Sequence, residues 1–375
     1  MAGRYSSRAT TNHKKDVEAF QQACLTKRPI LKQIHIGHHF YGSGNLGDDW
    51  MLAGFLNHIP ESYQLSCCSP YELRPLSLRF PRIHWKPYTE AYRKEAIANC
   101  DAWLGLGGSP FQHSVSSWFT DHLKSEAHWC KYDNKPMYFL GIGGQDEAAY
   151  RNTTLKTVAD QARHIWTRDE STYVAVKKLV KDNTRIDLAS DLAHSFFETY
   201  SLQSIQSRTL ATVLNFDYAN WPNLNIAIQA LNALPTDRKL WLIQESRVLP
   251  GAEHDLYKQL DNSLKSLWEI YLADIPGCSL KTLAEHWPST EYLFTARFHS
   301  ALASAWAGTK TVVINTNSKL ESIALDLQVP LVGVNATPEI IIEAFSQAKP
   351  VPRALLSQKA LLAKNAIKAF LDMIG

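Results

Sequence analysis

The chain has 375 residues, of which 45% are hydrophobic and 20% charged, and this length and composition indicate a globular protein with two domains rather than one. The formal net charge of +3 is too small to indicate nucleic acid as a partner. The segment 1–15 is polar and basic, and no later segment is apolar over the length that spans a bilayer, so we expect neither a signal peptide nor a membrane anchor. Six cysteines without a C-x-x-C pair predict free thiols in a reducing compartment. We therefore expect a cytoplasmic protein.

Short apolar runs alternate with segments of helical period along the chain. The apolar runs, which we interpret as strands, are 31–36, 63–67, 102–106, 136–142, 164–167 and 185–188, followed by 210–216, 240–244, 292–296, 311–315 and 331–334. The helical segments include 50–58, 153–163, 172–180, 253–272, 300–307 and 320–327. This alternation predicts an α/β fold with parallel sheets covered by helices on both faces.

The two sets of strands predict two domains. A polar stretch, 198–208, separates the sets and is the predicted linker. We expect an N-terminal Rossmann-like domain over 1–200, a C-terminal Rossmann-like domain over 201–352, and a C-terminal helix over 353–375 that packs back on the first domain. Because such sheets bind ligands at the carboxyl ends of their strands, a ligand is expected in the cleft between the domains.

The first predicted strand runs into a glycine-rich turn, 42–49, with the sequence GSGNLGDD. Dinucleotide sites share this G-x-G-x-x-G spacing, but here Asp48 and Asp49 would compete with a pyrophosphate for the N–H groups at the helix start. The second strand also lacks the terminal acid that holds a ribose. We therefore disfavour a dinucleotide site. One aspartate is expected to cap the helix, and the other to point into the cleft and orient or deprotonate a hydroxyl.

Two glycine pairs follow later strands of the first half. Gly107-Gly108 comes after the run 102–106, and Gly143-Gly144 comes after the run 136–142. Glycine lets the backbone bend sharply and lets a ligand approach closely, although any tight turn can use it for bending alone. Two such pairs in one half of the chain favour a glycine-lined cleft.

A third kind of turn combines positive charge with a helix start. In the second half a strand ends at Arg297, and His299 and Ser300 open an Ala-rich helix, whose first N–H groups and positive dipole end attract anions. Arg168 also follows a strand, and Lys319 begins a later helix of the same half as His299. A guanidinium, an imidazole and an ammonium at strand ends predict an anion site that can also move a proton. The alternative is that these are surface residues and that Arg168 pairs with its own turn.

Two other groups of polar residues receive no chemical role. Asp191 follows the strand 185–188, and we interpret it as a cap or turn residue. The adjacent His38 and His39 match no metal-site spacing, and neighbouring residues at a strand end point to opposite faces. We therefore predict no metal site.

Taken in order, these turns resemble the motifs of the polysaccharide pyruvyl transferase family. The residues that carry the resemblance are Gly44-Asn45-Leu46-Gly47-Asp48, Gly107-Gly108, Gly141-Ile142-Gly143, Arg168-Asp169-Glu170-Ser171, Arg297-Phe298-His299 and Lys319. They extend over about Ile34 to Val334, nearly the whole chain. The chain departs from the family pattern at Ser109, at Gly144-Gln145 and at Leu192.

The resemblance implies a fold like that of GT-B glycosyltransferases, with the acceptor on the N-terminal domain and the donor on the C-terminal domain. It implies transfer of a pyruvyl group from phosphoenolpyruvate to a sugar as a cyclic ketal, without a redox cofactor or a metal. Arg168, Arg297 and His299 would then hold and activate phosphoenolpyruvate, with support from Lys319 and Ser300. Asp48 or Asp49 would assist the attacking hydroxyl. The turns with Gly44, Asn45, Gly47, Gly107, Gly108, Gly143 and Gly144 would line the acceptor side of the cleft. The acceptor is hypothesised to be a lipid-linked saccharide at the inner membrane surface, which requires at most peripheral membrane contact.

Two other functions fit the same residues. A sugar-nucleotide-dependent GT-B glycosyltransferase would use the anion site for a diphosphate. A non-catalytic saccharide-binding relative would account for the altered glycine turns. The presence of Arg168, Arg297, His299 and Lys319 favours an enzyme.

Overall fold

The computed structural model describes residues 32–111, 117–144, 152–180, 183–200, 202, 208–215, 224–244 and 252–375. The elements of the first half are β1 (Lys32–Ile36), α1 (Leu46–Leu56), β2 (Tyr63–Ser69), α2 (Leu73–Arg79), β3 (Ile83–Pro87), α3 (Glu90–Asn99), β4 (Ala102–Leu106), α4 (Ser117–Tyr132), β5 (Met137–Ile142), α5 (Thr153–Gln161), β6 (Ala162–Thr167), α6 (Glu170–Leu179), β7 (Arg185–Leu188) and α7 (Ala193–Thr199). Those of the second half are β8 (Thr209–Val213), α8 (Leu224–Asn232), β9 (Arg238–Ile243), α9 (Ala252–Gln259), α10 (Asn262–Lys265), β10 (Glu269–Leu272), α11 (Leu280–Glu285), β11 (Tyr292–Thr295), α12 (Phe298–Ala307), β12 (Lys310–Asn315), α13 (Ser318–Leu327), β13 (Leu331–Gly333), α14 (Pro338–Gln347) and α15 (Arg353–Ile374).

The strands form two parallel sheets with the same kind of strand order. The first has seven strands in the order β3-β2-β1-β4-β5-β6-β7, and the second has six in the order β10-β9-β8-β11-β12-β13. All the pairings within them are parallel. The predicted pair of Rossmann-like sheets is thereby confirmed. In each sheet the order reverses between two central strands, β1 and β4 or β8 and β11, and the crevice beyond such a reversal is where open α/β sheets bind ligands.

The central strands read as continuous apolar runs because helices cover both of their faces. Every residue of β4, β5 and β8 is buried. The edge strands are harder to recognise from sequence. Residues 83–87 (β3) bury only Ile83 and Trp85, and the sequence analysis did not predict this strand.

Three predicted helices are wrong at their ends. The helix predicted over 50–58 begins at Leu46 and ends at Leu56. The segment 253–272 contains α9, α10 and then the edge strand β10, whose Ile270 and Leu272 are 44% and 55% exposed. Because these apolar residues are exposed, β10 lacks the alternation of buried apolar and exposed polar residues that marks a strand. The sequence pattern therefore did not separate it from the preceding helices. In the same way, the predicted helix 153–163 ends at Gln161, and Ala162 starts β6. None of the helices in the described part of the chain is long and apolar enough to cross a membrane.

The C-terminal helix α15 lies against elements of the first sheet. It packs on α7 and β5, and it also touches α12. The buried residues of α15 recur at helical spacing and include Leu356, Ala360 and Phe370. The ring of Phe370 lies 5.3 Å from that of Tyr138 in β5. Of the predicted linker 198–208, the first two residues belong to α7, and 201 and 203–207 lie outside the described residues.

A buried arginine joins the two domains. Arg79, at the end of α2, forms an ion pair through Nη1 with Asp49 of α1, and its Nη2 lies 2.7 Å from Oδ1 of Asp274 just beyond β10. Nη2 also donates to the carbonyl oxygen of Ile275. Burial raises the pKa of Asp49 to about 6, and the carboxylate of Asp274 adds to this, while Arg79 opposes it. One guanidinium therefore holds a carboxylate from each domain.

Replacing Arg79 with alanine is expected to destabilise the protein by about 3–5 kcal/mol, because the change leaves two buried carboxylates without their shared cation. Chemical denaturation measures the change in the free energy of unfolding. Arg74→Ala is the matched control, since Arg74 is an exposed residue of the same helix. Equal destabilisation by both variants would contradict the proposed importance of the ion pair.

Candidate functional site

The turns that follow β1 and β11 face each other across the cleft. Asn45 precedes α1, and its Oδ1 accepts hydrogen bonds from the backbone N–H of Gly47 and from Nε2 of Gln244, both at 3.2 Å. Gln244 follows β9 of the second sheet, and its Oε1 accepts a hydrogen bond from the hydroxyl of Ser300. A chain of side-chain hydrogen bonds therefore connects the first turn of α1 to the first turn of α12.

The predicted capping of α1 is wrong. Asn45, not an aspartate, is the N-cap, and Asp48 and Asp49 lie in the first turn of the helix. A side chain can satisfy the first helical N–H groups only from the residue before the helix, and α1 begins at Leu46, two residues earlier than Asp48. Asp49 points instead to Arg79. The catalytic roles of Asp48 and Asp49 stay predictions.

Asp191 is the centre of the site. One of its carboxylate oxygens, Oδ2, lies 3.2 Å from Nη1 of Arg168 and 3.4 Å from Nε2 of His299. The other oxygen, Oδ1, accepts a hydrogen bond from the backbone N–H of Ala193 at 2.9 Å. The side chains of Arg168, Asp191 and His299 are 1%, 3% and 8% exposed. The sequence analysis predicted the turn role of Asp191 but missed its position between two predicted site residues from different domains.

Burial and the neighbouring charges together set the protonation of His299 and Asp191. Burial lowers the pKa of His299; the carboxylate of Asp191 opposes this, and the positive charges of Arg168 and Lys319 add to it. Burial alone would raise the pKa of Asp191, but His299 and Arg168 hold it well below its usual range. Near neutral pH the cluster therefore consists of a carboxylate, a guanidinium and a largely neutral imidazole. An anion bound beside the imidazole would favour its protonated form.

Two of the predicted cleft glycines make room for these side chains. A Cβ atom on Gly47 would lie 2.0 Å from Nδ1 of His299, and one on Gly143 would lie 2.4 Å from Nε of Arg168. Neither glycine has a positive φ, so close approach of a side chain, rather than backbone conformation, requires glycine here. The sequence analysis expected a ligand at these glycines, and the structure places site residues there.

The other glycine pair contacts its own domain. Gly107 and Gly108 have φ values of +59° and +71°, and a Cβ on either would meet Met51 or Phe40. The carbonyl oxygen of Gly108 accepts a hydrogen bond from the backbone N–H of Gly143. This pair therefore supports the turn under Arg168 without touching the cluster. Gly144 donates its backbone N–H to the hydroxyl of Thr172.

Arg168 contacts both its own turn and the opposite domain. Its Nε lies 3.6 Å from Asp169, which caps α6, and its Nη2 donates to the hydroxyl of Ser109 at 3.4 Å. Its guanidinium also lies 4.0 Å from the centre of the Phe298 ring, in the first turn of α12. Arg168 therefore pairs within its turn, as one alternative predicted, and it also contacts the opposite domain. Its role as an anion clamp stays a prediction.

The remaining predicted donor residues lie around α12. Arg297 immediately precedes the helix without capping it through its side chain, and its Nη2 lies 2.7 Å from Oε1 of the buried Glu253. Lys319 is the second residue of α13 and is half-buried. The positive charge of Lys319 lowers the pKa of His299. Arg297 is thus oriented by Glu253, while the positive charges of Arg168 and Lys319 both lower the pKa of His299.

The paired histidines lie elsewhere in the first domain. Nδ1 of His38 lies 3.0 Å from the carbonyl oxygen of Leu106, and the ring of His39 packs on those of Tyr88 and His122. Among the described residues, no group of three or more His, Cys, Asp or Glu side chains is arranged to hold a metal ion.

Comparison with known proteins identifies the fold. No protein-family model matches the chain, and no curated protein matches it in sequence. A putative UDP-N-acetylglucosamine 2-epimerase from Listeria monocytogenes is similar with a TM-score of 0.58 and 11% identity, over 92% of this chain and 95% of its own. HepE of Anabaena, in complex with UDP-glucose, is similar with a TM-score of 0.58 and 10% identity, over 91% and 99%. A UGT transferase from Siraitia grosvenorii in complex with UDP gives a TM-score of 0.52 and 11% identity, over 92% and 99%.

At such low identity the likeness establishes the fold and not the activity. The alignments cover nearly the whole of each chain, so both domains and their arrangement are shared. The predicted GT-B-like fold, two parallel-sheet domains on either side of a cleft, is confirmed.

Gly47→Ala is expected to displace the imidazole of His299, because the new methyl group would overlap Nδ1. Alanine is otherwise more favourable than glycine in a helix, so a change in the position of the His299 ring would come from this contact. The ring-proton NMR signals of His299, assigned with His299→Ala, should shift. Gly333→Ala is the matched control, since nothing lies within 4 Å of its added Cβ. Unchanged His299 signals in Gly47→Ala would contradict the contact.

Proposed function

We propose that this chain is an enzyme that transfers a pyruvyl group from phosphoenolpyruvate to a saccharide, forming a pyruvate ketal. The observation that carries the proposal is the meeting of Arg168, Asp191 and His299, from both domains, at the first turn of α12. The positive charge of Lys319 is also close enough to lower the pKa of His299. The ordered motifs that supply Arg168, His299 and Lys319 support it. Asp191 supports it as well, because it holds a proton-transferring group beside a guanidinium.

Phosphoenolpyruvate suits this cluster because it carries a carboxylate and a phosphate on one small carbon frame. A guanidinium pairs with either group in a bidentate manner, and an ammonium acts as a mobile point charge. In the proposed complex Arg168 and Lys319 contact the two anionic groups. The N–H groups at the start of α12, beside Ser300, contribute the positive end of the helix dipole. Arg297 completes the donor site in the orientation that Glu253 gives it.

The reaction requires one proton on carbon and one leaving phosphate. Protonation of the methylene carbon by His299 converts it to a methyl group and gives an oxocarbenium-like centre at the carbon that bears the carboxylate. A sugar hydroxyl adds to that centre and loses its proton. The carbon–oxygen bond to phosphate then breaks, and a second hydroxyl of the sugar adds in its place, which closes the ketal. The two hydroxyl protons balance the one gained by the methyl group and the one carried off by phosphate.

Asp191 is proposed to position His299 and to stabilise its protonated form. Its Oδ2 faces Nε2 of the imidazole, and its other oxygen is fixed by the backbone of α7. Asp48 or Asp49 is proposed to assist the attacking hydroxyl. The reaction itself needs neither a redox cofactor nor a metal. The acceptor is proposed to be a saccharide, with a lipid-linked precursor at the membrane surface as its hypothesised form.

A second candidate is a sugar-nucleotide enzyme, either a glycosyltransferase or an epimerase. It is supported by the neighbours in fold, which are named as a UDP-N-acetylglucosamine epimerase or were solved with UDP-glucose or UDP. These comparisons favour this candidate more directly than pyruvyl transfer, whereas the arrangement of motifs favours pyruvyl transfer. A diphosphate would use the same positive groups beside α12.

Binding of the two kinds of donor distinguishes the candidates. A thermal melt with phosphoenolpyruvate at about a hundredfold excess over its dissociation constant should raise the midpoint by several degrees, since that excess is worth about 2.7 kcal/mol. UDP-glucose and UDP-N-acetylglucosamine are the comparison ligands. A shift with phosphoenolpyruvate alone supports pyruvyl transfer. A shift with a UDP-sugar alone would replace it with the second candidate.

Lys319→Gln is expected to weaken phosphoenolpyruvate binding by about tenfold, the effect of losing one charge-assisted contact. Isothermal titration measures the dissociation constant. Lys349→Gln makes the same chemical change at an exposed lysine after α14 and should leave binding unchanged. Equal dissociation constants for the two variants would remove Lys319 from the donor site.

Phosphoenolpyruvate binding is expected to take up a proton, because the pKa of His299 is lowered in the free protein and a bound anion raises it again. Uptake should be greatest between the two pKa values, and the affinity should fall as pH rises through the pKa of the complex. Titration calorimetry in buffers of different ionisation enthalpy counts the protons. His299→Asn should abolish both uptake and turnover. Undiminished uptake in that variant would assign the proton to another group.

A further inference from the structure

A cavity lies between the two domains, and His299 is not among its lining residues. It has a volume of about 250 Å³ and is lined by residues of both domains, among them Gly44, Asp49, Tyr71, Glu72, Arg79 and Asp274. Ligand pockets for drug-sized molecules have roughly 300–1,000 Å³. This cavity is slightly smaller and therefore suits about one sugar residue.

The lining of this cavity carries a net negative charge. Asp49, Glu72 and Asp274 contribute three carboxylates, and Arg79, which already pairs with two of them, contributes the one guanidinium among its lining residues. A negatively charged ligand would meet uncompensated like charge here, whereas hydroxyl and ammonium groups would find acceptors. The charge of the lining therefore disfavours acidic ligands in this cavity.

Several polar groups face this cavity. The carboxylate of Asp49 belongs to the wall of the cavity, where Arg79 holds it. Glu72 precedes α2 but does not cap it through its side chain, and it is exposed. Tyr71 adds a half-buried aromatic ring, a surface suited to the apolar face of a sugar. Carboxylate acceptors beside an aromatic ring form a suitable environment for a hydroxyl-rich ring.

The turn that lines the cavity also reaches the anion site. Gly44 lines the cavity, Asn45 bonds to Gln244, and Gly47 contacts the ring of His299. Because Gly44 and Gly47 are three residues apart, their Cα atoms lie within about 11 Å of each other. An extended saccharide could therefore occupy the cavity with one unit and present another to His299.

We propose that this cavity is an acceptor subsite that binds a neutral or positively charged sugar residue, such as an amino sugar or its N-acetyl form, and excludes acidic sugars. The inference rests on the proposed function, since it takes the saccharide acceptor as given. It adds the charge class of the sugar next to the reacting unit and names Glu72 and Tyr71 as the residues that recognise it.

The test uses three monosaccharides as probes on the full chain: glucosamine, N-acetylglucosamine and glucuronate. Titrations in neutral buffer, followed by saturation-transfer NMR, should show binding of the first two and none of glucuronate. Glu72→Gln should weaken glucosamine binding by about tenfold, and Tyr71→Ala should weaken both sugars. The matched controls are Glu95→Gln on α3 and Tyr132→Ala at the end of α4, since both residues are exposed and neither lines the cavity.

Equal binding of glucuronate, no binding of any probe, or equal effects of the variants and their controls would overturn the subsite. Phosphoenolpyruvate is titrated in parallel, and its affinity should not change in Glu72→Gln or Tyr71→Ala. If the sugars bind as expected but phosphoenolpyruvate does not, the subsite stands and the proposed pyruvyl transfer fails. If phosphoenolpyruvate binds and the sugars do not, the subsite alone is wrong.

Discussion

The candidate site depends on one buried carboxylate that two domains share. Asp191 belongs to the first half of the chain, and its Oδ2 lies between Arg168 of the same half and His299 of the second. A charge buried this deeply is costly unless it has partners, so the domains must approach closely enough to supply them. The pairing in turn orients the imidazole and the guanidinium before any ligand arrives, which is the condition for an efficient site.

Further contacts keep the domains at this distance. Asn45 and Gln244 form a hydrogen bond at the middle of the cleft, and Arg79 bridges Asp49 and Asp274 farther along it. Side-chain contacts in several parts of the cleft oppose both sliding and opening. Both ends of the cleft contain ion pairs, between Arg168 and Asp191 beside α12 and between Arg79, Asp49 and Asp274 farther along it.

The site was predictable wherever its chemistry is local in sequence. Arg168 and His299 each follow a buried strand in a recognisable turn, and Lys319 begins a helix in the second domain. Asp191 also has a local role, since its Oδ1 accepts a hydrogen bond from the N–H of Ala193. That role is enough to explain an aspartate at this turn, so nothing in the sequence indicated its contact with His299. Nothing near Asp49 in sequence indicates that Arg79 will pair with it.

The α/β class, the two sets of strands and the positions of the main turns follow from the amino-acid sequence, because periodicity and glycine content act over a few residues. The edge strands β3 and β10 were not predicted from the sequence. Which of their residues are buried depends on the single neighbouring strand and on the helices that cover it. Only the tertiary structure decided which turns meet. Gly47 and Gly143 show this most directly: each looks like an ordinary turn glycine, and each is required because a side chain distant in sequence occupies the space of its missing Cβ.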